Sequence, residues 1–474
     1  MIARRLVTLT VLALAMSAPA WGAPPAAAAS DERVAQPEWL RQRLEWFQDQ
    51  RFGLFVHWGI YSQWGCIESW PLVPADTWAR PDDLACWVER GKDIERFQRD
   101  YVALNRTFRP RHFAPDRWAR LAKRAGMRYV VFTTKHHDGF SMFDTRQTDF
   151  RVTHPDCPYS RSEQPDIVRA VFDAFRKRGF GIGAYFSKSD WHCPWYWDKD
   201  RPIRDRNPNY DTLAEPERWA TFVKFVHGQV EELVSNYGPI DILWLDGGQV
   251  RPPKQDVRMD ALVAMARRHQ PRLIVVDRTV GGPHENYRTP EQKVPEKPLP
   301  YVWESCLTMG TQWSWKPDDQ YKSPCELIHL LVDVVSKGGN LLLNVGPDAD
   351  GRFAEPAVAR LEAIGDWMDV CSEAIHGTRP IAPYKEGRVC LTRKKDGTVC
   401  AIILATEGET APPAEVTLSA PRPKKGATVR MLGSAAPVAW TAGPDGTTFA
   451  LPASARRDPP CRHAWVLRFE PAGG

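Results

Sequence analysis

The chain has 474 residues, 43% of them hydrophobic, and a formal net charge of +5. That length is generous for one domain and suits a barrel plus a smaller module. Lysines and arginines number 63 against 58 aspartates and glutamates, and they are scattered, so nothing in the charge pattern points to nucleic acid.

The N-terminus reads MIARRLVTLTVLALAMSAPAWGAPPAAAAS. Arg4 and Arg5 precede a short apolar run, Leu6 to Met16, and Ala18-Pro19-Ala20 supplies small residues for cleavage. Residues 1–30 therefore read as a secretory signal followed by an Ala/Pro-rich spacer. The expected location is periplasmic or extracellular. No other segment approaches the ~20 apolar residues of a membrane span. Ten cysteines follow the signal, none in a CxxC pair, which argues against a zinc ribbon. An oxidising compartment permits disulfides, but spacing does not pair them.

Apolar runs then alternate with helical patterns. FGLFVHWG, YVVFTTKHHDGF, GIGAYFSKSDW, DILWLDGG, RLIVVDRT, YVWESC and NLLLNVGP read as strands. In DIVRAVFDAFRKRG, residues Ile167, Val168, Val171, Phe172 and Phe175 share one helical face. ERWATFVKFVHGQVEELVSNYG is a second helix, stopped by Gly238. Alternation over some 300 residues predicts a parallel sheet. A doubly wound dinucleotide fold is disfavoured, because no glycine-rich phosphate loop follows the first strand. The expected fold class is α/β, an irregular (β/α)8-like TIM barrel over residues 37–380. After a last helix and a linker-like TRPIAPYKEG, short strands with Asp396-Gly397 and Asp445-Gly446 turns predict an antiparallel β-sandwich over 386–474. It is expected to brace the barrel, with carbohydrate binding as the alternative.

His57, His136, His137, Asp138, Tyr185, Asp190, Asp246, Arg278, Glu304 and Asn344 lie at or just past predicted strand ends. In a barrel those ends form the catalytic face. Asp246 closes the run DILWLD, where a buried carboxylate costs several kcal/mol unless it is partnered. It either serves the pocket or caps and pairs locally, with Arg278 as the obvious partner. The 20 tryptophans exceed what a core of this size needs, and YSQWGCIESWPL and SKSDWHCPWYW place several in loops. Such rings stack on the apolar face of a pyranose, although ordinary loop packing accounts for any one of them.

Two carboxylates facing each other across a pocket can cleave a glycosidic bond. Asp246 is the first candidate; Glu285, Glu291 and Glu304 compete to be the second, and spacing alone does not choose. His136 and His137 invite a metal reading, but adjacent strand residues face opposite ways and neither HxH nor HExxH spacing is present. Hydrogen bonding to sugar hydroxyls suits them better. No cofactor is expected.

RFGLFVHWGIYS, TTKHHDGFSMFDT, GIGAYFSKSDW, DILWLDGG, YRTPEQ and DVVSKGGNLLLNVGPDADG together resemble the α-L-fucosidases of glycoside hydrolase family 29. The resemblance covers roughly residues 37 to 380, with a C-terminal β-domain in the expected order. It implies a barrel enzyme that removes terminal α-L-fucose from glycans with retention, through a fucosyl-aspartate intermediate. By the same resemblance, Asp246 matches the nucleophile and Glu291 the acid/base. His57, His136, His137, Tyr185, Trp244 and Arg278 match positions that grip the sugar. Some members carry a glutamate-tryptophan pair in the region between Gly65 and Lys92; here Cys86-Trp87 and Glu68 with Trp70 both remain open. Rival readings are an α-galactosidase-type exo-hydrolase, a sugar-binding protein without catalysis, and a metal-dependent hydrolase.

Overall fold

A computed structural model describes residues 36–473; the signal and spacer expected over 1–30 lie outside the described residues. All seven predicted barrel strands form: β1 Phe52–Val56, β2 Tyr129–Lys135, β3 Gly181–Ser187, β4 Ile242–Asp246, β5 Ile274–Asp277, β6 Glu304–Thr308 and β7 Asn340–Asn344. They make one parallel sheet in the order β5-β4-β3-β2-β1-β7-β6. Almost every residue in them is buried, as expected where helices cover the outside and side chains fill the inside.

There is no eighth parallel strand between β5 and β6. The segment His284–Gln292 closes the curl instead. It runs antiparallel to β5 at Glu285 and parallel to β6 at Arg288 and Glu291. Asn286 N–H donates to Val275 (3.0 Å), and Glu304 N–H donates to the Arg288 carbonyl (2.9 Å). The barrel is thus seven strands and one irregular seam, and Glu291 sits on the seam.

Strand periodicity sorts the side chains into two sets. Leu243 and Leu245 of β4 face outward into the layer of helices, whereas Ile242 and Trp244 face the barrel interior. Ile274 and Val276 of β5, Phe55 of β1, Tyr185 of β3 and Leu342 of β7 join that interior. The helix Glu38–Gln50 plugs the bottom with Leu40, Leu44 and Phe47, the last stacked on Tyr287 at 4.3 Å between ring centroids. The predicted helices appear as Ile167–Arg176, capped by the Asp166 carboxylate, and Pro216–Asn236, followed by Gly238 at φ 72°. Among the described residues no helix is long and apolar enough to cross a membrane.

The stretch read as a linker, TRPIAPYKEG, corrects that expectation. Thr378–Glu386 is a strand, β8, paired antiparallel with β9 Val389–Lys394. Its residues are largely half-buried at a sheet edge, where prolines do not break the ladder. The sheet continues through β10 Val399–Leu404, β11 Glu415–Leu418, β12 Val429–Met431, β13 Pro437–Gly443, β14 Gly446–Ala450 and β15 Ala464–Phe469. Its order is β11-β14-β13-β12-β15-β10-β9-β8. One apolar core joins its two halves, with Phe449 stacked on Phe469, as the sandwich prediction requires. Both predicted hairpin turns form, at Gly397 and Gly446. The opposite face, with Cys390, Cys400, Ile402 and Val466, packs into the core around the barrel helices. The buried Arg51 guanidinium ties the two domains together, donating to the carbonyls of Gly338 (2.6 Å), Gly339 (3.0 Å) and Thr378 (3.1 Å).

Gly53 tests this packing. A Cβ there would stand only 2.4 Å from the ring of Tyr129, whose hydroxyl donates to Glu304 at 2.6 Å. Gly53→Ala should destabilise the protein by about 1–3 kcal/mol through overpacking, seen as a lowered midpoint in urea unfolding with the slope unchanged.

Candidate active site

The inward set of β4 continues from Ile242 and Trp244 to Asp246, the last residue of the strand. Three donors converge on its carboxylate. Tyr185 O–H reaches Oδ2 at 2.8 Å, Gly247 N–H reaches Oδ1 at 2.8 Å, and Arg278 reaches Oδ1 at 3.0 Å. His137 Nε2 stands 3.9 Å from Oδ2. Burial alone would raise the carboxyl's pKa. Arg278, His137, the Gly247 amide and the Tyr185 hydroxyl more than offset it and hold the group well below the ordinary range. Asp246 is therefore ionised throughout the working pH range.

Arg278 continues the inward set of β5, and its second nitrogen donates to Glu291 Oε2. One guanidinium thus bridges two carboxylates. Asp246 is 16% exposed and Glu291 is 41% exposed, so one is fixed deep and the other stands at the mouth. Glu285 accepts from Thr279 N–H, Gly281 N–H and Arg288, and so holds the turn after β5.

Glu304 corrects the strand-end expectation. It begins β6 rather than ending a strand, which puts it on the lower barrel level. There it accepts from Tyr129 O–H (2.6 Å), Trp244 Nε1 (3.1 Å) and Tyr287 O–H (3.3 Å). Burial lifts its carboxyl to about 7 against those donors. Of the three candidate glutamates, Glu291 is the one that meets Arg278.

The histidines are oriented by local partners. His57 Nδ1 meets Asn344 Oδ1 at 2.8 Å, and Asn344 Nδ2 is spent on the Trp313 carbonyl at 2.6 Å. The amide oxygen must therefore face His57, so Nδ1 carries the hydrogen and Nε2 is the acceptor. His137 Nδ1 meets Ser187 Oγ at 2.6 Å, while that hydroxyl donates to the Ser189 carbonyl at 2.7 Å. The same tautomer follows. His136 Nδ1 meets Ser69 Oγ at 2.5 Å. Burial drops His57 to about 3 and His137 to about 4, and pushes His136 well below its ordinary value. All three are neutral at working pH, suited to hydroxyl recognition.

Two residues of the strand-end set serve the scaffold instead. Asp138 accepts from Tyr101 O–H (2.7 Å) and Phe140 N–H (3.0 Å). Asp190 pairs with buried Lys135 (3.0 Å) and caps His192 and Cys193. Among the described residues no group of three or more His, Cys, Asp or Glu side chains could hold a metal ion.

Between Gly65 and Lys92, the structure brings Glu68 and Trp70 to the site. The Trp70 ring lies 4.9 Å from that of His137, whereas Trp87 packs on Phe97. Glu68 is wholly buried; Oε1 accepts from Ser314 N–H at 2.5 Å, and Oε2 makes no hydrogen bond within the described residues. Burial pushes its carboxyl up to about 8, with Ser314 opposing and the charge of Glu291 adding to the rise. Trp313, whose ring is 5.0 Å from His57, was not singled out in the sequence. It and Ser314 come from a loop after β6 with no periodicity to mark it.

A bridged pair of carboxylates at the mouth of a (β/α) barrel, set among neutral histidines and aromatic rings, places the protein among the glycoside hydrolases. Comparison with known proteins is more particular. The family model described as Alpha-L-fucosidase matches residues 24–373, and that of the Alpha-L-fucosidase C-terminal domain matches 385–470. Tissue alpha-L-fucosidase of Mus musculus is 29% identical over 462 residues, covering 91% of this chain and 94% of its own. Among solved structures, alpha-L-fucosidase isoenzyme 1 from Paenibacillus thiaminolyticus superposes with a TM-score of 0.73 at 29% identity, over 92% of this chain and 100% of the other. The Thermotoga maritima alpha-fucosidase in complex with fucose gives 0.70 at 28%, over 92% and 99%. The chain belongs to the α-L-fucosidase family of glycoside hydrolases, and its activity is that of an α-L-fucosidase.

Glu68 gives a pH prediction. Its carboxyl keeps its proton up to about pH 8 in the folded state but would lose it near 4.5 when unfolded. Between those values the folded state binds more protons, so this group's contribution to stability falls as pH rises. Glu68→Gln should flatten the decline of the melting temperature between pH 5 and 8.5. An unchanged slope would show that Glu68 is ionised when folded.

Proposed function

We propose that the enzyme releases terminal α-L-fucose from glycans with retention, by double displacement through a fucosyl ester on Asp246. The observation that carries this reading is the Arg278 bridge, which joins one deep, ionised carboxylate to a second at the mouth. The relative from Thermotoga maritima was solved with fucose and with a mechanism-based inhibitor, which supports the same assignment of the pocket.

In this reading His57, His136 and His137 hold the sugar hydroxyls, with Tyr185, Trp244 and Arg278 completing the grip. Substrate entry turns Glu291 from Arg278 to the glycosidic oxygen, and the carboxylate, freed of the guanidinium, takes up a proton from solvent. Asp246 Oδ2 attacks the anomeric carbon, the glycosidic bond breaks, and Glu291 gives its proton to the leaving oxygen. The ester removes the negative charge of Asp246. Arg278 is then left to the newly formed Glu291 carboxylate, which takes a proton from water as that water attacks the anomeric carbon and displaces the Asp246 carboxylate. Fucose leaves with its original configuration and Asp246 regains its charge. A retaining pair calls for a carboxylate separation of about 5–5.5 Å in the substrate complex. We further propose export through the signal read over residues 1–30, which would expose the enzyme to extracytoplasmic glycans.

Asp246→Gly should lower turnover of an aryl α-L-fucoside about a thousandfold or more, and azide should restore it with β-fucosyl azide as product. Glu291→Ala with azide should give α-fucosyl azide. Undiminished turnover by Asp246→Gly would overturn the mechanism.

A further inference from the structure

The pocket described above accounts for one sugar and says nothing of what that sugar is attached to. Among the described residues two tryptophans are exposed, Trp78 at 54% and Trp195 at 37%. They differ in their surroundings. Trp195 packs its ring 6.0 Å from Phe225 on the helix Pro216–Asn236, and its carbonyl accepts from Tyr210. Trp78 belongs to a ring path that leads out of the pocket. The rings of His137 and Trp70 are 4.9 Å apart, and those of Trp70 and Trp78 are 6.0 Å apart. Trp78 is thus two ring contacts from a histidine that stands 3.9 Å from Asp246.

Its setting is built rather than loose. Trp78 lies in the single turn Thr77–Ala79, and its Nε1 donates to Asp76 Oδ1 at 3.2 Å. Asp76 is buried and is held by Arg206 through two bonds, at 2.7 and 2.8 Å. The Arg206 guanidinium lies 4.3 Å above the Trp70 ring. Ala75 N–H donates to the Arg204 carbonyl at 3.0 Å. The loop after β1 and the loop after β3 are therefore locked together where they carry this indole. An apolar side chain this large, held at one edge by a hydrogen bond and left half open to water, costs hydration unless a ligand covers it.

We propose that Trp78 is the stacking platform for the pyranose residue to which the fucose is attached, and so selects saccharide over other leaving groups. This rests on the reading of the pocket as the fucose site. A pyranose has an apolar C–H face and hydroxyls around its edge. The indole offers a flat apolar face, with the Asp76–Arg206 pair beside it to meet the hydroxyls. A protein partner would be expected to bury a broader apolar patch than one ring.

The test compares wild type, Trp78→Ala and Trp78→Phe on two substrates. One is α-L-fucosyl fluoride, whose leaving group has no ring. The other is whichever linkage isomer of an α-L-fucosyl pyranoside the wild type cleaves fastest. The readout is the ratio of kcat/KM for the disaccharide to that for the fluoride. Trp78→Ala should lower this ratio roughly tenfold, the size of a lost aromatic contact, with the change carried by KM. Trp78→Phe should keep most of it. An unchanged ratio, or equal losses on both substrates, overturns the proposal while leaving the fucose reading intact. A wild type inactive on both substrates overturns that reading and this one with it.

Discussion

Arg278 donates to Asp246 and Glu291 from the end of β5, and its charge is what lets Asp246 be both buried and ionised. A carboxylate at that depth would otherwise take up a proton. The guanidinium is planar and forked, so it can serve two carboxylates in one plane where an ammonium would act as a single point charge. Its place depends on the period of the strand: Ile274 and Val276 face the interior, and the next inward position is Arg278. The irregular seam His284–Gln292 then delivers Glu291 to the same guanidinium.

Beneath this pair lies a second polar level. Glu304 collects hydroxyls from Tyr129 and Tyr287 and the indole N–H of Trp244, and so fixes the rings that floor the pocket. Trp244 in turn lies 5.2 Å beneath the Arg278 guanidinium. A buried acid raised to about 7 is the cost of holding these rings at the barrel centre. Beside the pair, the tautomers of His57 and His137 are set by Asn344 and Ser187 rather than by charge, which leaves their Nε2 atoms as neutral acceptors.

The C-terminal sheet packs on the barrel helices, reaches the helix Glu38–Gln50 through Lys395 and Asp49 (2.7 Å), and meets the segment between the seam and β6 where Tyr384 O–H donates to the Glu296 carbonyl (2.9 Å). Trp367 Nε1 donates to the Ala464 carbonyl at 2.9 Å, and His329 Nε2 meets the His463 carbonyl at 2.8 Å. The loops of the open end, among them the one that bears Trp78, carry the side chains around the pocket.

Much of the architecture was legible in the residues. Seven apolar runs became seven parallel strands because strands covered on both faces must be apolar throughout. The two Asp-Gly pairs turned hairpins because glycine accepts the positive φ such turns need. Asp246 stood out because a strand does not end on a carboxylate without a partner. Other features were not legible. Glu304 looked like a strand end, since a run such as YVWESC does not reveal on which residue pairing begins; the register with Asn340 decides that. TRPIAPYKEG looked like a linker, since edge strands tolerate prolines. Glu285, Glu291 and Glu304 were equivalent by spacing, Glu68 with Trp70 was one of two open alternatives, and Trp313 and Ser314 lay in a loop without periodicity. What local chemistry dictates is which segments are strands and which of their side chains share a face. Which side chains from different strands meet depends on the closure of the barrel, because that closure brings residues distant in the chain within hydrogen-bonding reach.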